Sequence, residues 1–190
     1  PTDVLTNAGC QVGDVLVLTM ALGTGILSTA SKADLLSEEE YRRMVELMTT
    51  LNRNARDCMI RVGAHACTDI TGFGLLGHAY EMAAGSGMTV VLDSRRVPIV
   101  PKALELAREG IIPSGAYNNM GYIQDQIQIA NTVPLEVSDV LADPQTAGGL
   151  LIALPEHKAP ELLSQLEAFT GDARMVGYVK PFSGKSLEVR

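Results

Sequence analysis

The sequence predicts an α+β fold in which a mixed β-sheet is flanked by helices. Strand-like and helix-like segments alternate along the whole chain, and no repeat, low-complexity tract or long linker interrupts them. Hydrophobic residues fill 46% of the 190 positions, enough for a substantial core. Residues 1–190 are therefore expected to form a single domain.

Asp14 to Thr19, after the turn residue Gly13, is a dense run of valine and leucine that reads as a buried strand. Leu22-Gly23-Thr24-Gly25 breaks the chain, and Ile26, Leu27, Ala30 and Ala33 then recur at helical spacing. Ser37 and Glu40 form a capping box, and Tyr41, Met44, Leu47, Met48, Leu51, Ala55, Cys58, Met59 and Val62 make one apolar face. This predicts one helix that Gly63 ends, with Cys58 in the core.

Residues 65–71 are short and β-capable, and Gly72-Phe73-Gly74-Leu75-Leu76-Gly77 opens a helix that Gly85 and Gly87 stop. A strand over 88–93 and a helix over 100–108, with Pro101 in its first turn, come next. Glycine, proline and asparagine punctuate 110–131, where 124–129 is a candidate strand. Beyond it lie a helical turn at 138–141, a loop at 143–149, a strand at 150–154, a helix at 156–169, and strands at 175–179 and 187–189.

Lys and Arg total 15 against 22 Asp and Glu, a net charge of -7, so nucleic acid is disfavoured and any phosphate needs a local device to approach. No apolar run reaches the ~20 residues that cross a bilayer, and Pro1-Thr2-Asp3-Val4 shows neither an initiator Met nor a signal pattern. A water-soluble piece of something longer is expected. Cys10, Cys58 and Cys67 stand far apart without a CxxC pair, which fits neither a disulfide framework nor a zinc ribbon and suits a reducing, cytoplasmic setting.

Gly72 to Gly77 is a literal G-x-G-x-x-G, and with Asp93 ending the next strand it imitates a dinucleotide-binding oxidoreductase. Asp69, three residues earlier, would repel a pyrophosphate unless a cation intervened. A carboxylate beside the amides of a helix start can instead hold Mg²⁺ while metal and amides meet phosphate oxygens, or it can merely cap the helix. Leu22 to Gly25 and Asp143-Pro144-Gln145-Thr146-Ala147-Gly148-Gly149 are each either turns or pocket linings. His65, Cys67 and His78 lack the tight pairing zinc favours, and Cys10 has no basic neighbour to activate it.

Three segments carry a resemblance: Asp14 to Thr29 with its Leu-Gly-Thr-Gly, Cys67-Thr68-Asp69-Ile70-Thr71-Gly72-Phe73-Gly74-Leu75-Leu76-Gly77-His78, and Leu141 to Ile152 with its Asp-Pro-Gln-Thr-Ala-Gly-Gly. In this order they resemble the carboxy-terminal half of selenophosphate synthetase (selenide, water dikinase), within a superfamily that includes aminoimidazole ribonucleotide synthetase. The resemblance implies a three-layer α/β/α domain of a two-domain, dimeric enzyme that makes selenophosphate from selenide, ATP and water and releases AMP and phosphate. Asp69 is then a magnesium ligand, and Thr68, Thr71, Gly72 and Gly74 border the nucleotide. The amino-terminal ATP-binding domain, with the Cys-or-selenocysteine-x-x-Lys pair, is absent. None of the three cysteines has a lysine three residues on, so no catalytic residue is expected here and the segment alone should be inactive. The family's usual Lys-Pro before Leu-Gly-Thr-Gly is Met20-Ala21 in this chain.

Overall fold

β1 (Asp14–Leu18) sets the architecture of residues 4–190, which a computed structural model describes. All five of its residues are buried. Val15 and Val17 enter one core while Leu16 and Leu18 enter another, so the run is apolar throughout because helices cover both faces. β5 (Leu150–Pro155) repeats this: Leu151 and Ala153 join Leu16, and Ile152 and Leu154 join Val15.

With β2 (Ala66–Asp69), β3 (Met88–Leu92), β4 (Ile127–Ile129), β6 (Arg174–Pro181) and β7 (Leu187–Val189), these strands form a seven-stranded sheet in the order β2-β5-β1-β6-β3-β7-β4. Neighbours from β2 to β3 are antiparallel, whereas β7 pairs parallel with β3 and β4. The C-terminal ends of β1 and β2 and the N-terminal end of β5 therefore meet at one end of the sheet.

On the Leu16 face lie α1 (Thr24–Ser31), α2 (Glu38–Thr49), α4 (Gly74–Ser86), α5 (Pro101–Arg108), α6 (Ser114–Ile123) and α7 (Leu135–Ala142). On the Val15 face lie α3 (Arg53–Val62) and α8 (Ala159–Leu166). The result is the expected α+β arrangement in three layers.

Two elements differ from the sequence reading. The helix expected from Ser37 to Val62 is two helices, because Thr50 turns extended at φ -69 and ψ 121. The break carries the chain across the sheet: Met44 and Leu47 of α2 serve one core, and Ala55, Cys58, Met59 and Val62 of α3 the other. Leu51, assigned to the continuous apolar face, is 76% exposed at the break. The capping box forms as expected, with the Glu40 N–H 3.3 Å from Ser37 Oγ and the Ser37 N–H 2.7 Å from Glu40 Oε2. Inside 110–131, α6 arises despite its glycines and asparagines because Ala116, Asn119 and Ile123 are buried against the rest of the domain.

The topology also overturns the dinucleotide alternative. β2 is an edge strand and β3 lies beyond β5, β1 and β6, so Gly72 to Gly77 does not link adjacent parallel strands as that unit requires. Asp93 is taken up by Arg95, which donates from its backbone N–H at 3.2 Å and its Nε at 3.1 Å.

Candidate functional site

The three motif segments converge where β1 and β2 end and β5 begins. At their centre is the N-terminus of α1, whose first N–H groups have no partner within the helix. No local side chain caps it. The caps come from the loop after α7: Asp143 Oδ2 accepts from the Gly25 and Ile26 N–H groups at 3.0 and 3.2 Å, and Gln145 Oε1 accepts from those of Gly23 and Thr24 at 3.0 and 3.2 Å. Gln145 Nε2 donates to Asp143 Oδ2 at 2.8 Å, and the Thr146 N–H to Thr24 Oγ1 at 3.0 Å. A Cβ at position 25 would stand 2.2 Å from the Pro144 carbonyl oxygen, so only glycine lets the loops approach this closely.

Asp143 is fully buried. Burial pushes its carboxyl up to about 7, against the downward pull of the Ile26 N–H, the Gln145 amide and the Gly25 N–H. Its Oδ1 has no hydrogen-bond partner among the described residues. This motif therefore serves as a cap reaching across the domain, and its polar side chains satisfy backbone rather than line an open pocket.

The same loop fixes the turn that follows β2. The Ile70 N–H donates to the Gly149 carbonyl at 2.8 Å, and the Gln145 N–H to the Thr71 carbonyl at 3.0 Å. Gly74 has φ +66, and a Cβ there would sit 2.7 Å from the Ala142 carbonyl oxygen. It is thus explained by close packing. Gly72 is exposed, and no atom of the described residues lies within 4 Å of the place a Cβ would take.

Asp69, at the end of β2, is exposed beside this turn. Among the described residues no group of three or more His, Cys, Asp and Glu is gathered as a metal cage. Asp69 thus offers a single carboxylate. Thr68 Oγ1 makes a local 3.3 Å contact to the Asp69 carbonyl, and Thr71 Oγ1 lies 3.1 Å from His78 Nε2. His65 is engaged by Asp14, 2.9 Å from its Nδ1. Desolvation, with the charge of Asp69 added, pushes the Cys67 thiol to about 12, and burial pushes that of Cys10 to about 11. Both thiols stay protonated at neutral pH.

Met20 is 4% exposed and packs in the core below Gly149, so position 20 here is a structural one. Arg43 lines a cavity of about 210 Å³ with it. Two larger grooves, of about 510 and 520 Å³, lie away from Asp69 and are rimmed by Arg95 and Arg96. Two residues of the site carried no sequence signal. Asn52 donates to the Gly148 carbonyl at 2.9 Å, and Asn119 bridges the carbonyls of Gly72 and Ala142.

Fold and site define a three-layer α+β domain whose glycine loops are tied together at one end of a mixed sheet, leaving the Asp69 carboxylate and the Gly72–Phe73 turn ahead of α4 exposed there. The chain belongs to the family of AIR synthase related proteins, as their C-terminal domain, and residues 11–190 match the family model. It is similar to selenide, water dikinase of Clostridium botulinum (strain Eklund 17B / Type B), 45% identical over 190 residues that cover 100% of this chain and 55% of that protein. The selenide, water dikinase of Treponema denticola is 48% identical over 194 residues, covering 100% and 54%. The chain spans about half the length of these relatives. E. coli HypE, a hydrogenase maturation protein, shares the fold at a TM-score of 0.70 and 16% identity, over 98% of this chain and 48% of that one. A HypE solved in complex with ATP does so at 0.63 and 19%, over 94% and 46%.

Proposed function

We propose that this chain is the carboxy-terminal part of a selenide, water dikinase and completes its Mg-ATP site. The observation that carries the reading is the exposed carboxylate of Asp69 at a strand end, beside a turn anchored from within and open outward at Gly72. Relatives 45% and 48% identical over the whole chain carry that name, and a structural neighbour was solved with ATP.

Mg²⁺ takes about six oxygen ligands. Asp69 fits as one of them, and the rest come from phosphate, water and residues outside this chain. The bound ion would neutralise phosphate charge as it develops. The chain's own part is to hold Asp69 and the start of α4 in fixed relation, because both flank one anchored turn. The exposed Gly72–Phe73 peptide just ahead of α4, a helix of 13 residues, would offer a backbone N–H to phosphate oxygens, with the positive end of the helix dipole behind it.

The reading extends to selenide as second substrate, an amino-terminal domain supplying the catalytic pair, and a homodimer of the complete protein, all three resting on the motif resemblance. A cytoplasmic setting is supported by three free cysteines. No helix among the described residues is long and apolar enough to cross a membrane.

The test joins the chain to its amino-terminal part and compares Asp69→Ala with the parent for selenide-dependent AMP formation. Loss of about a hundredfold or more is expected, with an unchanged melting temperature. Equal activity would remove Asp69 from the mechanism.

A further inference from the structure

We propose that Asn119 is the positioning residue that turns the Gly72–Phe73 peptide so that its N–H faces the nucleotide phosphates. The inference rests on the reading of the Asp69 turn as a phosphate site and adds to it a residue from α6.

Asn119 is 7% exposed. Its Nδ2 donates to the Gly72 carbonyl at 2.9 Å and to the Ala142 carbonyl at 3.0 Å. One NH₂ group thereby ties the turn before α4 to the last residue of α7. Serine at this place has one donor, and aspartate would set a carboxylate against two carbonyl oxygens. The helix bearing Asn119 is itself seated on the capping loop, since a Cβ on Gly115 would stand 2.7 Å from Pro144 Cγ.

The consequence follows from the planar trans peptide, in which C=O and N–H point in opposite directions. A Gly72 carbonyl held inward by a buried amide forces the Phe73 N–H outward. Both residues of that peptide, Gly72 and Phe73, are exposed. Without the clamp, a glycine-flanked peptide can rotate. Its carbonyl oxygen would then face the anionic phosphates and repel them.

The test uses the complete protein with selenide, measuring AMP formation against Mg-ATP concentration. Asn119→Ala is expected to raise KM for Mg-ATP about tenfold while kcat stays within about threefold, at a temperature where circular dichroism shows the variant folded. Asn119→Asp is expected to raise it further. Asn119→Ser, which keeps one donor, should fall between parent and alanine and serves if the others fail to fold. An unchanged KM in folded variants, or a loss confined to kcat, overturns the clamp. Asp69→Ala run in parallel separates the two ideas: if it is impaired while the Asn119 variants are not, the clamp falls and the site stands. If Asp69→Ala is also silent, the site falls and the inference with it.

Discussion

Replacing Asp143 by asparagine isolates the titration of one buried carboxyl. In the unfolded chain it loses its proton near 3.8, and in the folded domain near 7. Between those values the folded state keeps a proton that the unfolded state has released, so this group's contribution to stability falls as pH rises and levels off above about 7. The full separation corresponds to about 4 kcal/mol, of which about 2 kcal/mol falls between pH 5 and 7. The amide that replaces the carboxyl cannot titrate, yet its carbonyl can still accept from the Gly25 and Ile26 N–H groups. Glu40 and Glu188, both held below their usual range by hydrogen bonds, act with the opposite sign and cancel in the comparison. Urea unfolding of parent and Asp143→Asn at pH 5, 6, 7 and 8 should show the variant gaining about 2 kcal/mol on the parent from pH 5 to 7. A difference that stays flat across that range would refute a raised carboxyl at this position.

Gly74→Ala should lower stability by at least about 2 kcal/mol, because it forces a left-handed residue and a carbonyl clash, whereas Gly72→Ala should stay within about 0.5 kcal/mol. Thermal melts of the pair check this. Cys67, with its thiol pushed to about 12, should react with iodoacetamide at pH 8 at least about a hundredfold more slowly than an ordinary cysteine. A mass-spectrometric time course showing ordinary labelling would contradict it.

Elements whose local pattern and tertiary role agree were legible in the sequence. β1 and β5 read as buried strands because burial on both faces demands an unbroken apolar run, and Ser37 with Glu40 marked the start of α2 by short-range chemistry alone. α6 was not legible: Gly115, Asn118 and Gly121 argue against a helix, and the packing of Ala116 and Ile123 overrides them. The break at Thr50 was hidden because α2 and α3 each present an apolar stripe, and the two stripes run on as if they were one although they face different cores. At the site, the position of Asp69 beside a helix start could be read directly. The pairing of Gly23 with Gln145 could not, since the partners lie 122 positions apart and nothing local announces them.

That separation puts the site late in the life of a newly made chain. α1 has eight residues, too few to persist alone in water. At about 5–20 residues per second, a ribosome needs roughly 6–24 s after Gly23 before Gln145 has been added. Until then the first turn of α1 has no lid, and β1 lacks both strands that will flank it. The exposed carboxylate of Asp69 thus gains a fixed address only when residues 143–155, which anchor its turn and pair with its strand, have docked.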